Sequence, residues 1–285
     1  MTTSTTSQTT IDDRAPNNVT DLFPVTKPVI GTVHALPLPG SPRYGGESMA
    51  HIVNRAVKDA EDYVAGGVDG LIVENAGDIP FRHPRHLGPD TVAGLTAVAM
   101  AVRGAVDIPI GIICVAHGVI QSIAVAKAVD AQFIRANQWV NAYVANEGFI
   151  EGSAAEALRF RAALLAEEIQ VFADVHVKHG SHAIVGDRSI AELTYDTEAF
   201  DADVLIATGN RTGDPTRLEE LQAIKNAASR PVLVGSGLNQ HNSTELLGLA
   251  DGAIVGSAMK QEGVWWKPVD PYRVSAIMDA VNQLR

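Results

Sequence analysis

Residues 173–179, ADVHVKH, place three ionisable side chains at alternate positions. Side chains of a β-strand point to opposite faces with a period of two, so Asp174, His176 and Lys178 would share one face, about 7 Å apart. Carboxylate, imidazole and amine groups serve enzymes as acids, bases and nucleophiles. A half-exposed strand gives the same pattern with its polar face in water, so the surrounding elements decide between a solvated surface and a site.

Seven other short runs rich in Val and Ile are similar to this segment, and helical patterns alternate with them. The eight runs cover residues 28–35, 70–76, 108–115, 132–139, 170–177, 202–209, 230–237 and 251–258. Strict alternation of strands and helices is typical of a parallel sheet. Eight units in about 255 residues predict an α/β fold, a (β/α)8 TIM barrel that spans residues 28–285 as a single domain. An open doubly wound sheet is the alternative, although no GxGxxG motif follows the first run.

Polar residues interrupt the apolar runs at one end, which in a barrel is the end that carries the site. Both faces of a barrel strand are covered, so Asp174, His176 and Lys178 should point inward toward this mouth. Because pKa values are perturbed where ionisable groups crowd together, we expect Asp174, His176, Lys178 and Glu74 to be catalytic. The third run ends near Cys114 and His117. The expected substrate-binding residues stand at the ends of the other runs: His34, Asn75, Arg135, Asn137 and Thr208.

The last two runs end in VGSG and VGSA, at residues 234–237 and 255–258. In TIM barrels the loops after these two strands frequently bind phosphate, since glycine allows close backbone approach and unpaired N–H groups attract an anion. The sequence TGN at 208–210, after the sixth run, would extend the same site. Tight turns that need glycine are the alternative explanation. The predicted phosphate-binding residues are Gly209, Gly235, Ser236, Gly237, Gly256 and Ser257.

The composition argues against several classes of protein. The formal net charge of −11 and the lack of a lysine/arginine run argue against nucleic-acid binding. A single cysteine, Cys114, allows no intrachain disulfide and fits a cytoplasmic location. No apolar run of about 18 residues is present, so no membrane span is expected. We interpret residues 1–27 as a flexible N-terminal tail, or as an arm that reaches a neighbouring subunit of a homo-oligomer.

Several segments resemble the BtpA/SgcQ family. They are GTVHALPLPGSPRYGG (31–46), GGVDGLIVENAGDIPF (66–81), FIRANQW (133–139), IEGSAAEALRFR (150–161), ADVHVKH (173–179), PVLVGSGL (231–238), DGAIVGSAMK (251–260) and KPVDP (267–271). The resemblance covers residues 28–285 and implies a barrel similar to the ribulose-phosphate-binding group. It implies either a role in sugar metabolism or, as the family name reflects, an accessory role in photosystem I biogenesis in cyanobacteria. The turn ICVAHGV at 113–119 departs from the asparagine-rich turn more usual in the family, which argues against assuming a shared substrate.

Three functions are therefore considered. The first is an enzyme that isomerises, epimerises or cleaves a small phosphorylated sugar or related anionic metabolite. In it Asp174 or Glu74 would be the base, His176 a second acid/base, and Lys178 a stabiliser of an enediolate or a Schiff-base amine. The second is a hydrolase or transferase for a nucleoside or glycosyl phosphate, with paired carboxylates and a positioned water. The third, a non-catalytic photosystem I assembly factor, follows from the resemblance alone. No cofactor is required, although Glu74, Asp174 and His176 would suit a divalent metal ion.

Overall fold

The structure, a computed structural model, describes residues 19–285. Its strands are β1 (Val29–His34), β2 (Gly70–Glu74), β3 (Ile110–Ile113), β4 (Phe133–Ala136), β5 (Ala142–Ala145), β6 (Gly148–Glu151), β7 (Gln170–Asp174), β8 (Gly180–Ser181), β9 (Val204–Ala207), β10 (Val232–Val234) and β11 (Gly252–Val255). Its α-helices are α1 (Val19–Leu22), α2 (Met49–Ala65), α3 (Pro89–Ala105), α4 (Val119–Ala128), α5 (Ala154–Ala163), α6 (Ile190–Ala199), α7 (Leu218–Ala227), α8 (Ser243–Leu249) and α9 (Pro271–Asn282).

Eight of the strands form a closed parallel barrel in the order β1-β11-β10-β9-β7-β4-β3-β2. The barrel closes where β1 pairs with β11, with Gly31 opposite Val255. Each barrel strand is followed along the chain by one of the helices α2 to α9. Val and Ile dominate these strands because a strand covered on both faces has to be apolar throughout. The prediction of a (β/α)8 TIM barrel is confirmed.

The amino-terminal end of the barrel, which we call the floor, is filled by aromatic side chains. The rings of Phe133 on β4 and Phe172 on β7 stack with their centroids 4.4 Å apart. Phe23, which follows α1, is fully buried and meets Phe133 edge-on at 6.1 Å. A Cβ atom on Gly70, at the start of β2, would come within 2.6 Å of the Phe23 ring, so glycine makes room for it. The side chain of Phe23 therefore forms part of the barrel core.

This packing corrects the boundary of the predicted tail 1–27. Residues 1–18 lie outside the described residues, so the interpretation of a flexible tail or arm stays a prediction there. Residues 19–27, in contrast, form α1 and the segment that leads into β1, and Val19 and Phe23 are buried. The part of the chain that packs as the barrel domain thus begins by residue 19 rather than at residue 28.

A small antiparallel sheet, with the order β6-β5-β8, stands at the carboxyl-terminal end of the barrel, the mouth. Asn146 and Glu147 form the two-residue turn between β5 and β6, a length typical of tight hairpins. The residues Tyr143, Ile150 and Val177 form a separate apolar cluster under this sheet. The sequence had predicted only a long connection here.

The helices surround the barrel and begin at recognisable caps. Ser189 forms a reciprocal capping box with Glu192 at the start of α6, and Asp270 accepts hydrogen bonds from two backbone N–H groups at the start of α9. Such caps satisfy N–H groups that have no partner within the helix. Within residues 19–285, no helix has the length and apolar character that crossing a bilayer needs.

Candidate active site

A cavity of about 1160 Å³ opens at the mouth of the barrel. Its walls are built from the carboxyl ends of the strands and from the loops that follow them, which is where TIM barrels carry their sites. Ten of the predicted site residues line it: His34, Glu74, Arg135, Asn137, Lys178, Gly235, Ser236, Gly237, Gly256 and Ser257. The predicted residues Asn75, Asp174, His176, Thr208 and Gly209 do not line it.

Lys178 is partly buried in the cavity wall. Its amine makes no hydrogen bond or salt bridge with any residue of the described chain. Burial, and after it the nearby charge of Arg135, lowers the pKa of Lys178 to about 8, although Asp174, Glu74 and Asp214 oppose the shift. A lysine in this situation is available as a neutral amine near physiological pH.

Asp174 is held in a buried ion pair with Arg135. Arg135 donates from Nε to Oδ1 at 2.9 Å and from Nη2 to Oδ2 at 3.0 Å, and Asn137 donates to Oδ2 at 3.1 Å. Burial alone would lower the pKa of Arg135, but Asp174 outweighs this and the net shift is upward. With both oxygens occupied, Asp174 fixes Arg135 and Asn137 in the cavity wall. Asp174 does not line the cavity, and its predicted role as a base stays a prediction.

Glu74, at the end of β2, is the carboxylate that faces the cavity. Its Oε1 lies 2.9 Å from Nε2 of His34, while Nδ1 of His34 donates to the carbonyl of Trp265 at 2.7 Å. Burial alone would raise the pKa of Glu74. His34, Arg135 and Lys178 together lower this pKa by a larger amount, so the net shift is downward. Glu74 is therefore ionised at neutral pH, and His34 sets its orientation.

The alternation in the sequence predicts that His176 lies on one face with Asp174 and Lys178. The structure places His176 elsewhere. Strand β7 ends at Asp174, so the period of two stops there. His176 Nδ1 instead lies 3.1 Å from Glu220 Oε1, and its ring is 4.0 Å from the ring of His182. His176 thus belongs to a cluster outside the cavity.

The three side chains considered from the sequence as ligands of a divalent metal ion do not form a metal site in the described chain. Glu74 pairs with His34, Asp174 with Arg135, and His176 with Glu220, so the three groups do not converge. Among residues 19–285, no group of three His, Cys, Asp or Glu side chains is arranged to hold a metal ion.

Asn75 and Thr208 support the backbone of the mouth. The amide of Asn75 donates to Asp78 at 2.9 Å and to the Val115 carbonyl at 3.0 Å, and accepts from the Val115 N–H at 2.8 Å. Thr208 donates to the carbonyl of His176 at 3.1 Å. Both side chains are buried and occupied by protein groups. Neither side chain lines the cavity, and their predicted role in substrate binding stays a prediction.

The two predicted phosphate loops, residues 235–237 and 256–258, lie together on the cavity wall, and we call them the glycine–serine loops. Within the described chain, no backbone carbonyl or side chain accepts a hydrogen bond from the N–H of Gly237, Ser257 or Ala258. Backbone N–H groups without a partner beside a cavity are what an anion site needs.

Two glycines of this region are explained by packing instead. A Cβ atom on Gly209 would come within 2.4 Å of the Asp214 carbonyl oxygen, and one on Gly237 within 2.3 Å of the Pro215 Cα. Gly237 also has a φ of +73°, in the left-handed region that favours glycine. Close packing against residues 214–215 therefore accounts for Gly209, whereas at Gly237 a left-handed turn acts alongside the free N–H group.

The sequence reasoning missed a second polar group in the cavity wall. Nε2 of His117 lies 3.0 Å from the Tyr143 hydroxyl and 3.8 Å from Glu147 Oε2. Nδ1 of His117 is buried and has no hydrogen-bond partner among residues 19–285. Burial raises the pKa of Tyr143; burial also raises that of Glu147, but the bond to His117 reverses the shift and the net direction is downward. His117 was visible as a polar residue after the third run, whereas Tyr143 and Glu147 stood in an apparent loop.

Solved structures with the same architecture are distant in sequence. Tryptophan synthase from Mycobacterium tuberculosis superposes with a TM-score of 0.56 at 16% identity, over 90% of this chain and 93% of that chain. Phosphoribosyl anthranilate isomerase from Thermus thermophilus gives 0.55 at 14% identity, over 90% of this chain and all (100%) of that chain. At such low identity these likenesses show the fold alone.

Relatives of known sequence are much closer. A protein of Archaeoglobus fulgidus is 40% identical over 256 residues, which is 90% of this chain and 99% of that protein. The photosystem I biogenesis protein BtpA of Synechocystis is 39% identical over 263 residues, 92% of this chain and 90% of that protein. The sequence model of the BtpA family matches residues 25–283. The chain therefore belongs to the BtpA family.

Proposed function

We propose that this barrel is an enzyme for a small phosphorylated sugar or related metabolite, of the isomerase, epimerase or lyase type. One observation carries the proposal: an unpaired amine, Lys178, and an ionised carboxylate, Glu74, line the same cavity as the glycine–serine loops. A base, a cationic group and an anion site around one space are the parts that proton transfer next to a carbonyl requires.

The proposed roles follow from the positions. The phosphate lies against the unpaired N–H groups of the glycine–serine loops, which fixes the substrate at one end. Glu74, held by His34, removes the proton from the carbon next to the carbonyl group. The electron pair moves onto the carbonyl oxygen, where Lys178 and Arg135 supply positive charge. Return of the proton to a different carbon or face gives isomerisation or epimerisation.

Two alternatives are weaker or need a different test. A hydrolase needs two carboxylates that are free to act on substrate and water. Asp174 does not supply one of them, because both of its oxygens accept hydrogen bonds from Arg135 and Asn137. The name of the Synechocystis relative favours a non-catalytic role in photosystem I biogenesis. An assembly role does not require an unpaired amine in a cavity, and it predicts that the cavity binds no small metabolite.

A thermal-shift screen tests the proposal. Phosphorylated sugars and sugar acids, with inorganic phosphate as reference, should raise the melting temperature, since a ligand that binds only the native state stabilises it. The double variant S236A/S257A, which removes two hydroxyl groups and keeps the backbone N–H groups of the loops, should reduce the shift. The control S229A/S275A removes two hydroxyl groups that bond to Glu198 and to the Pro271 carbonyl, outside the cavity, and should keep it. A screen in which no phosphorylated compound changes the melting temperature would refute the anion site and leave the assembly role as the better account.

A further inference from the structure

The position of Lys178 allows a more specific statement about the substrate, which rests on the proposed function. We propose that Lys178 forms a covalent imine with the carbonyl carbon of a small aldehyde or ketone bound in the mouth. Imine formation needs an amine that is accessible, that is not committed to a carboxylate, and that has proton-transfer groups beside it.

Two lysines with a lowered pKa, Lys178 and Lys260, differ in these requirements. Lys260 is fully buried, lies 3.3 Å from Asp59 and sits 5.3 Å above the ring of Tyr63. It does not line the cavity, so no carbonyl compound reaches it. Lys178 lines the cavity, and within residues 19–285 it has no salt-bridge or hydrogen-bond partner. Burial lowers the pKa of both amines to about 8, so the difference between them is access.

The protonation of Lys178 supports the same role. With a pKa of about 8, about one amine in ten is neutral at pH 7, roughly 300-fold more than for an ordinary lysine. Arg135 contributes to this shift and is itself fixed by Asp174. The ion pair of Asp174 and Arg135 therefore has a function in this scheme: it keeps a permanent positive charge beside the amine.

The covalent step balances without any further reagent. The lone pair of Nζ attacks the carbonyl carbon, the C=O π pair moves to oxygen, and proton transfer gives a carbinolamine. The carbinolamine hydroxyl group takes a proton from solvent and leaves as water, which forms the protonated imine. When a C–H bond on the neighbouring carbon breaks, its electron pair forms a C=C bond and the C=N π pair moves to nitrogen, which gives an enamine, while Glu74 takes the proton. Return of a proton to carbon restores the protonated imine, and water then hydrolyses it to release the carbonyl product and the free amine. The substrate class is thus a phosphorylated aldehyde or ketone.

Reductive trapping tests the imine. The protein is incubated separately with dihydroxyacetone phosphate, glyceraldehyde 3-phosphate, pyruvate and pyridoxal 5′-phosphate, reduced with borohydride, and mapped by peptide mass spectrometry. We expect a stable secondary amine on Lys178 with at least one of the phosphorylated probes, and no adduct on Lys260. The variant K178M should lose this adduct, whereas K267R, a change in a loop outside the cavity lining, should keep it.

The outcomes separate this inference from the proposed function. If phosphorylated compounds raise the melting temperature but no probe modifies Lys178, the imine is refuted and the non-covalent scheme stands. If Lys178 is trapped by pyruvate while no phosphorylated compound binds, the imine stands and the phosphate site is refuted. Labelling spread evenly over exposed lysines, at the same rate in K178M, also overturns the imine. Trapping is read on the wild-type protein, so the conclusion does not depend on how well K178M folds.

Discussion

Lys178 carries a cost in stability that matches its proposed chemistry. In the unfolded chain this amine keeps its proton up to about pH 10.5, whereas in the folded protein it loses it above about pH 8. A pKa that folding lowers destabilises the native state at every pH below the folded value. The penalty declines as the pH rises from 8 to 10.5 and is absent above that range.

K178M should therefore be more stable than the wild type at pH 7. The expected gain is about 1–3 kcal/mol, because one pKa unit corresponds to about 1.4 kcal/mol and water in the cavity screens part of the penalty. Urea denaturation at pH 7 and at pH 10.5 measures it: the gain should shrink at the higher pH. An equal or lower free energy of unfolding for K178M at pH 7 would show that the amine has a stabilising partner.

At the residue scale, the sequence located the mouth residues better than their roles. His34, Glu74, Arg135, Asn137 and Lys178 were predictable because each follows an apolar run at the same end. Asp174 and His176 were not, because a period of two assumes that the strand continues, whereas β7 stops at Asp174. The pairing of Asp174 with Arg135 joins β7 to β4 across 39 residues of sequence, and no local pattern reports it.

At the scale of elements, the segment before β1 is expected to stabilise the barrel. F23A removes a fully buried ring that packs on Phe133 and on Gly70 at the floor. Truncation of a buried phenylalanine to alanine costs about 3–5 kcal/mol. The matched control is F200A, where the ring is 47% exposed, and it should cost far less. Chemical denaturation compares the two variants; equal losses would mean that residues 19–27 contribute no more than a surface segment.

The same scale shows why the eight barrel strands were predictable and the mouth sheet was not. Each barrel strand is a short, mainly apolar run, and every residue of β1 and β11 is buried. Strands β5 and β6 have four residues each, of which only one in each strand is buried, so they lack a continuous apolar run. Asn146 and Glu147 before Gly148, between YVA and FIE, were the available signal for a hairpin.

At the scale of the whole molecule, two predictions remain open to measurement: the homo-oligomer and the cytoplasmic location. We expect sedimentation velocity to give a mass that is a multiple of the chain mass. Trp266 and Tyr272, which are 62% and 87% exposed, stand near the mouth and would be natural contacts. A single species at the mass of one chain, across the concentration range, would contradict the oligomer. Fractionation of cells that produce the protein checks the location.

The aromatic floor determines how small molecules enter and leave the cavity. Phe23, Phe133 and Phe172 fill one end, so in the described chain the cavity of the mouth is a blind chamber with its entrance on one side. In the proposed reaction, substrate and product would therefore use the same entrance, and a bound product would compete directly with the next substrate.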